Sequence, residues 1–130
     1  VGIRSLSEEE AVYLREHPAP IWSTRQFRAL KGDLQPILDS LTEEVFITFD
    51  LDGLDPAYLP GTGTPEPGGL DWFEVSDLVG AVAASRRIVG FDVVELAPLA
   101  GNVASDFLAA RVTYRMIGHM LRSQGWKAPR

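Results

Sequence analysis

Cysteine is absent from the 130 residues, which excludes a disulfide framework and any thiolate metal site. A chain without cysteine suits a reducing compartment, and a cytoplasmic setting is expected. Histidine is scarce too, with only His17 and His119, and neither stands in a D-x-H-x-D segment. His17 precedes Pro18 at a helix end, where it complements the dipole, and His119 reads as a packing or surface residue. Long apolar runs are missing. Nothing approaches the ~20 consecutive apolar residues of a membrane span, and the first residues do not resemble a signal peptide. Basic excess is missing as well: twelve basic against eighteen acidic residues give −6, the wrong sign for a nucleic-acid surface. Neither nucleic acid nor membrane is therefore an expected partner. The acidic balance is compatible with a small cationic substrate, and equally with solubility alone.

What is present is enough for a single domain over residues 1–130, with 45% apolar residues to build a core. The chain is organised around Val45 to Leu70, VFITFDLDGLDPAYLPGTGTPEPGGL. Val45 to Phe49 is a β-branched and aromatic run that reads as a buried strand. It ends in Asp50, Asp52 and Asp55. Side chains at i and i+2 of a strand share a face, so Asp50 and Asp52 are expected to project together. Two such carboxylates repel unless a cation or proton lies between them, which points to a hard-cation site. The loop behind them, PGTG then PEPGG, combines fixed and permissive backbone and reads as shaped rather than slack.

The flanking elements follow from local signals. Ser7 and Glu10 form a capping box for a helix whose inner face is Ala11, Val12 and Leu14, stopped by Pro18. Ser23 or Thr24 caps a short helix to Lys31, closed by Gly32. Asp33 to Leu41 is helical, with Pro36 in the first turn. Asp71 to Ala84 is a helix with Phe73, Leu78, Val79 and Val82 on its apolar side. Ile88 to Leu96 is a second near-continuous apolar strand, with Glu95 close to its C-terminal end. Asp106 to Leu121 is the final helix, with Phe107, Leu108, Val112, Met116, Ile117 and Met120 on one face, and the tail frays beyond Trp126. Strands alternating with amphipathic helices mean parallel βαβ units, in which sites form beyond the C-terminal strand ends. Asp50, Asp52 and Glu95 all fall at such ends.

Other readings of these residues are weaker. Asp50 and Asp52 as mere turn caps leave an acidic pair at a buried strand end without a ligand. Asp55 before Pro56 is expected to be structural, as in many Asp-Pro turns. Thr64 is placed either to touch substrate or to bond its own loop. An EF-hand is excluded, because loop position six is Asp55 and position twelve is Gly61. FDLDG also resembles the first motif of haloacid-dehalogenase-like phosphatases, with Asp50 as nucleophile and Asp52 as acid/base, but Leu54 replaces the expected threonine.

FDLDGLDPAYLPGTGTPEPGGL followed by GFDVVELAP resembles the C-terminal part of the ureohydrolases, the arginase and agmatinase family, and more closely the agmatinases. The resemblance implies a three-layer α/β/α sandwich with a parallel sheet, here an incomplete C-terminal portion. It also implies two manganese ions and hydrolysis of an agmatine-like guanidino substrate to urea and an amine. By match to the motifs, Asp52 touches one ion and Asp50 bridges both. Glu95 pairs with the substrate guanidinium, and Thr64 lines the pocket. The G-G-D-H and D-A-H-x-D segments, which carry the other four metal ligands, are not in this sequence. The chain alone is expected to be inactive. A cut-open sheet also implies an exposed apolar edge and self-association, so a homo-oligomer is expected. The non-enzymatic alternative is an inactive ureohydrolase-like assembly module.

Overall fold

The structure is a computed structural model and describes residues 1–127. Its frame is a pair of parallel strands, β1 (Glu44–Asp50) and β2 (Arg87–Val94), joined by a crossover that contains a helix. The register runs Val45 to Ile88 and then, after a bulge, Phe46 to Gly90 and onward to Asp50 opposite Val94. Gly90 has a packing reason: a Cβ there would lie 3.0 Å from the Phe46 ring on the neighbouring strand.

Five helices accompany the pair among the described residues. They are α1 (Glu8–Glu16), α2 (Thr24–Ala29), α3 (Gln35–Leu38), α4 (Trp72–Ser85) and α5 (Ala104–Ser123). Three of their starts were legible, because Ser7, Ser23 and Asp71 each form a complete capping box with the residue three positions on. α3 is one turn shorter at its C-terminal end than its apolar spacing predicts. The tail expectation falls partly on residues 128–130, which lie outside the described residues.

α4 and α5 pack on the face of the sheet that carries Ile47, Phe49, Phe91 and Val93. Val75, Val79, Val112 and Met116 fill the space between them, and a second cluster joins Val45 and Ile88 to Val82 and Ala83. The architecture is thus the expected parallel α/β type, with one helical layer on one face. The other face is open: Phe46 is 60% exposed although its sequence context is that of a buried strand.

Three expected apolar faces differ in detail. Phe73 is 73% exposed, because the buried side of α4 is Val75, Val79, Val82 and Ala83, and position 73 lies on the far side of the helix. On α5, Val112 and Met116 are buried as expected, but Phe107 and Ile117 are exposed and Ser105 and Ala109 take their place. Small residues let the helix approach the strand ends closely. α1 buries no residue at all; it stands on its caps and on the stacking of Tyr13 with His17, centroids 4.3 Å apart. Residues 1–4 do not extend the sheet either: Ile3 makes a single parallel bridge to Ser23.

The Leu51 to Leu70 segment is held by leucines whose role the sequence did not reveal. Leu51, Leu54 and Leu59 are at most 1% exposed, and Leu70 is buried with them. Each buried leucine contributes about 1.5–3 kcal/mol relative to exposure. Leu54 and Leu70 bridge in parallel, with Asp55 N–H donating to Leu70 O and Leu70 N–H donating to Gly53 O. Among the described residues no helix is long and apolar enough to cross a membrane.

Candidate functional site

β1 ends at Asp50, and the backbone then tightens into a 3-10 turn, Leu51–Gly53. Asp52 therefore does not sit in the strand, and the two-residue strand period is not what places it. Asp50 Oδ1 accepts a hydrogen bond from Asp52 N–H at 2.9 Å, so Asp50 caps the turn and its side chain folds toward Asp52. The juxtaposition expected from the sequence is present, by a different backbone route. Partial desolvation at the strand end raises the Asp50 pKa above its ordinary value although the residue stays exposed, and the neighbouring Asp52 and Glu95 charges raise it further.

Thr64 reaches across rather than back into its own loop. Its hydroxyl donates to Asp52 Oδ2 at 2.5 Å, fixing one carboxylate oxygen. Glu95 follows β2 directly and has φ +66°, the left-handed region that non-glycine residues rarely occupy. That turn sends its carboxylate toward the Thr64 loop: a Cβ on Gly63 would stand 3.9 Å from Glu95 Oε2. The structure thus brings Asp50, Asp52, Thr64 and Glu95 to one end of the parallel pair.

The loop is held there by residues with no motif signal. Ser105, fully buried at the start of α5, accepts from Gly61 N–H at 2.9 Å, and Gly61 O accepts from Ala97 N–H at 2.9 Å. A Cβ at Gly61 would meet Ser105 at 2.7 Å, so glycine is required by close approach. Arg4 donates to Gly2 O at 2.8 Å and also to the Asp52 carbonyl, tying residues 1–4 beneath the 3-10 turn. Neither histidine is near: His17 stacks on Tyr13, and His119 lines a small cleft with Trp72 and Arg115.

Asp55 is structural, as the Asp-Pro turn predicts. Oδ1 accepts from Ala57 N–H at 2.9 Å, and Oδ2 accepts from Gly68 N–H at 2.9 Å and Gly69 N–H at 3.2 Å. The bond from Ala57, then those from Gly68 and Gly69, hold its pKa below the ordinary value. A depressed carboxylate contributes stability that is present above about pH 4 and lost as pH falls through the folded-state pKa. Asp55→Asn is expected to cost about 1–2 kcal/mol at pH 7, a modest figure because the group is partly solvated. Urea melts at pH 7 and pH 3 check this, and an Asn penalty that persists undiminished at pH 3 would contradict it.

Among the described residues, no group of three or more His, Cys, Asp or Glu side chains is disposed to hold a metal ion. Asp50 and Asp52 are two carboxylates linked by the Asp52 N–H to Asp50 Oδ1 bond. Their donors are hard oxygens, the ligand type that divalent cations such as magnesium, calcium and manganese take.

Comparison with known proteins identifies the family. The model of the arginase family matches residues 1–118, and the chain belongs to that family. It is 37% identical over 125 residues to the N(1)-aminopropylagmatine ureohydrolase of Synechocystis sp., a match covering 95% of this chain and 41% of that protein. The agmatinase of Bacillus anthracis is 39% identical over 99 residues, 75% of this chain and 33% of that protein. Among solved structures, proclavaminate amidino hydrolase from Streptomyces clavuligerus superimposes with a TM-score of 0.82 at 32% identity, over 95% of this chain and 42% of that one. The arginase from Bacillus caldovelox gives 0.79 at 29% identity, over 98% and 42%. The chain therefore spans about two fifths of the length of these relatives.

Proposed function

We propose that this chain supplies one side of a manganese-dependent ureohydrolase site, acting on an agmatine-like guanidino substrate to release urea and an amine. The observation that carries the reading is the convergence of Asp50, Asp52, Thr64 and Glu95 on one end of two parallel strands. Asp50 and Asp52 would hold the metal, with the Thr64 hydroxyl orienting the Asp52 carboxylate. Glu95 would accept two parallel hydrogen bonds from the planar guanidinium and turn its carbon toward the metal side. Divalent ions, when bound, supply Lewis acidity and an activated water at neutral pH. The remaining ligands would come from the part of the family domain outside this chain. The expected partners are a small cationic guanidino substrate and further copies of the assembled protein.

The test is urea release from agmatine, aminopropylagmatine and guanidinobutyrate. The chain is assayed alone, and joined to the rest of the family domain, with manganese and after chelation. The joined protein is expected to release urea from at least one substrate only with manganese, and the chain alone to release none. A joined, folded, manganese-loaded protein that hydrolyses no guanidino compound would refute the reading and favour an inactive assembly module.

A further inference from the structure

A groove of about 550 Å³ runs beside β1, and its lining joins Ser5 and Glu66 to Asp50, Asp52 and Thr64. Glu66 is half-buried there, and the reaction proposed above assigns it nothing. It is held from two sides. Its N–H donates to Thr64 O at 2.8 Å, which ties it to the residue that grips Asp52. Its Oε1 accepts from Ser5 Oγ at 2.6 Å. Arg4 lies alongside, but its donors go to the carbonyls of Gly2, Asp52 and Glu66 and not to the Glu66 carboxylate. Among the described residues that carboxylate forms no ion pair. A hydroxyl orients a carboxylate without cancelling its charge. The loop also sets its place relative to Glu95. Glu95 Oε2 stands 3.9 Å from where a Gly63 Cβ would lie. Glu66 follows Gly63 by three residues, so the two anchor points are separated by at most about 10 Å of chain. A short aminoalkyl chain bridges that length.

We propose that Glu66 reads a second positive charge on the substrate, pairing with a terminal alkylammonium while the guanidinium pairs with Glu95. The inference rests on the reaction proposed above and narrows its substrate class to aminoalkylguanidines, which are dications. A terminal ammonium keeps its proton at neutral pH, as lysine does. A half-buried carboxylate attracts that group and repels a carboxylate in the same place, so a guanidine with an anionic tail is selected against. Ser5 is then a positioning residue, because its hydroxyl holds Glu66 at the groove wall. The bland role for Glu66 is a clip that fastens residues 1–5 to the loop through Ser5. Glutamine separates the two roles: it keeps an oxygen to accept from Ser5 and loses the charge.

The test compares agmatine, guanidinobutyrate and butylguanidine, whose tails are cationic, anionic and neutral. It uses the chain joined to the rest of the family domain and loaded with manganese. Glu66→Gln is expected to lower kcat/KM for agmatine relative to butylguanidine by roughly tenfold. It is expected to raise guanidinobutyrate relative to butylguanidine by about threefold or more. Ser5→Ala keeps the charge but frees it, and is expected to lower the agmatine ratio by about two- to fivefold. Glu66→Lys is expected to move both ratios further in the same directions as Glu66→Gln. Ratios that stay fixed in Glu66→Gln and Glu66→Lys overturn the proposal, even if all three rates fall together, because a structural clip acts on every substrate alike. Calorimetric binding of the same three compounds keeps the two readings apart. A joined protein that binds them without releasing urea sinks the catalytic reading, and the ratios of Kd then judge Glu66 by the same shifts. Urea release with unshifted ratios sinks the Glu66 proposal alone. A joined, folded protein that binds none of the three overturns both.

Discussion

Glu95→Gln, in the chain joined to the rest of the family domain, is expected to lower kcat/KM for a guanidino substrate by roughly 10²–10³-fold. Glutamine keeps the length of the side chain but loses the charge, and one of its two terminal atoms becomes a donor facing a donor. Breaking a charge-assisted bidentate pair in a desolvated site costs about 3–4 kcal/mol, which sets that range. The backbone at Glu95 adds a second, independent expectation. A left-handed non-glycine residue carries a penalty of about 1–2 kcal/mol, and here φ is +66°. Glu95→Gly is therefore expected to leave the chain as stable or more stable, by up to about 1 kcal/mol, while removing activity. Steady-state kinetics check the first effect and thermal unfolding the second. Unchanged turnover in Glu95→Gln would remove Glu95 from substrate binding, and clear destabilisation by Glu95→Gly would show that the turn is not strained.

Gly69→Ala is expected to be the most damaging conservative change, at about 3 kcal/mol. A Cβ at Gly69 would lie 2.4 Å from Asp55 N, 2.5 Å from Leu54 C and 2.6 Å from Leu54 O. These are backbone atoms, which cannot swing aside as a side chain can. The same residue is gripped on both sides. Its N–H donates to Asp55 Oδ2, and its carbonyl accepts from Arg28 Nη2 at 2.9 Å. Arg28 in turn pairs with Glu74, the partner of Asp71 in the α4 capping box, at 2.8 Å. Displacing Gly69 therefore loosens the loop, the start of α4 and α2 together. A fall in Tm of roughly 10 °C is expected for a domain of this size. Gly53→Ala is the control, because nothing lies within 4 Å of a Cβ there. It is expected to change stability by less than about 1 kcal/mol. Equal losses in the two variants would show that glycine entropy, not close approach, is what matters at Gly69.

The sequence by itself determined what is encoded within a few residues of chain. Capping boxes at Ser7, Ser23 and Asp71 are satisfied by atoms three residues away, so those helix starts follow from local chemistry. The two apolar runs were legible as parallel strands, and the combined DLDGLD, PGTGTP and DVVE spacing was specific enough to carry the family. The turn bond from Ala57 N–H to Asp55 was legible for the same reason, whereas the bonds from Gly68 and Gly69, 13 and 14 positions on, were not.

Only the tertiary structure decided which apolar faces are covered. Periodicity reports that a helix has an apolar stripe, not that another element lies against it. Phe73, Phe107 and Val12 match the expected pattern and still face outward. Long-range partners were equally invisible: Ser105 against Gly61 and Thr64 against Asp52 join residues 44 and 12 positions apart. Asp52 is the sharpest case. Strand periodicity placed it beside Asp50, but the chain leaves the strand at Asp50 and arrives there through a 3-10 turn closed by the Asp50 carboxylate itself. The free edge of β1 belongs here too, because a strand's sequence reports the burial it is built for, while its neighbours decide whether that burial is met.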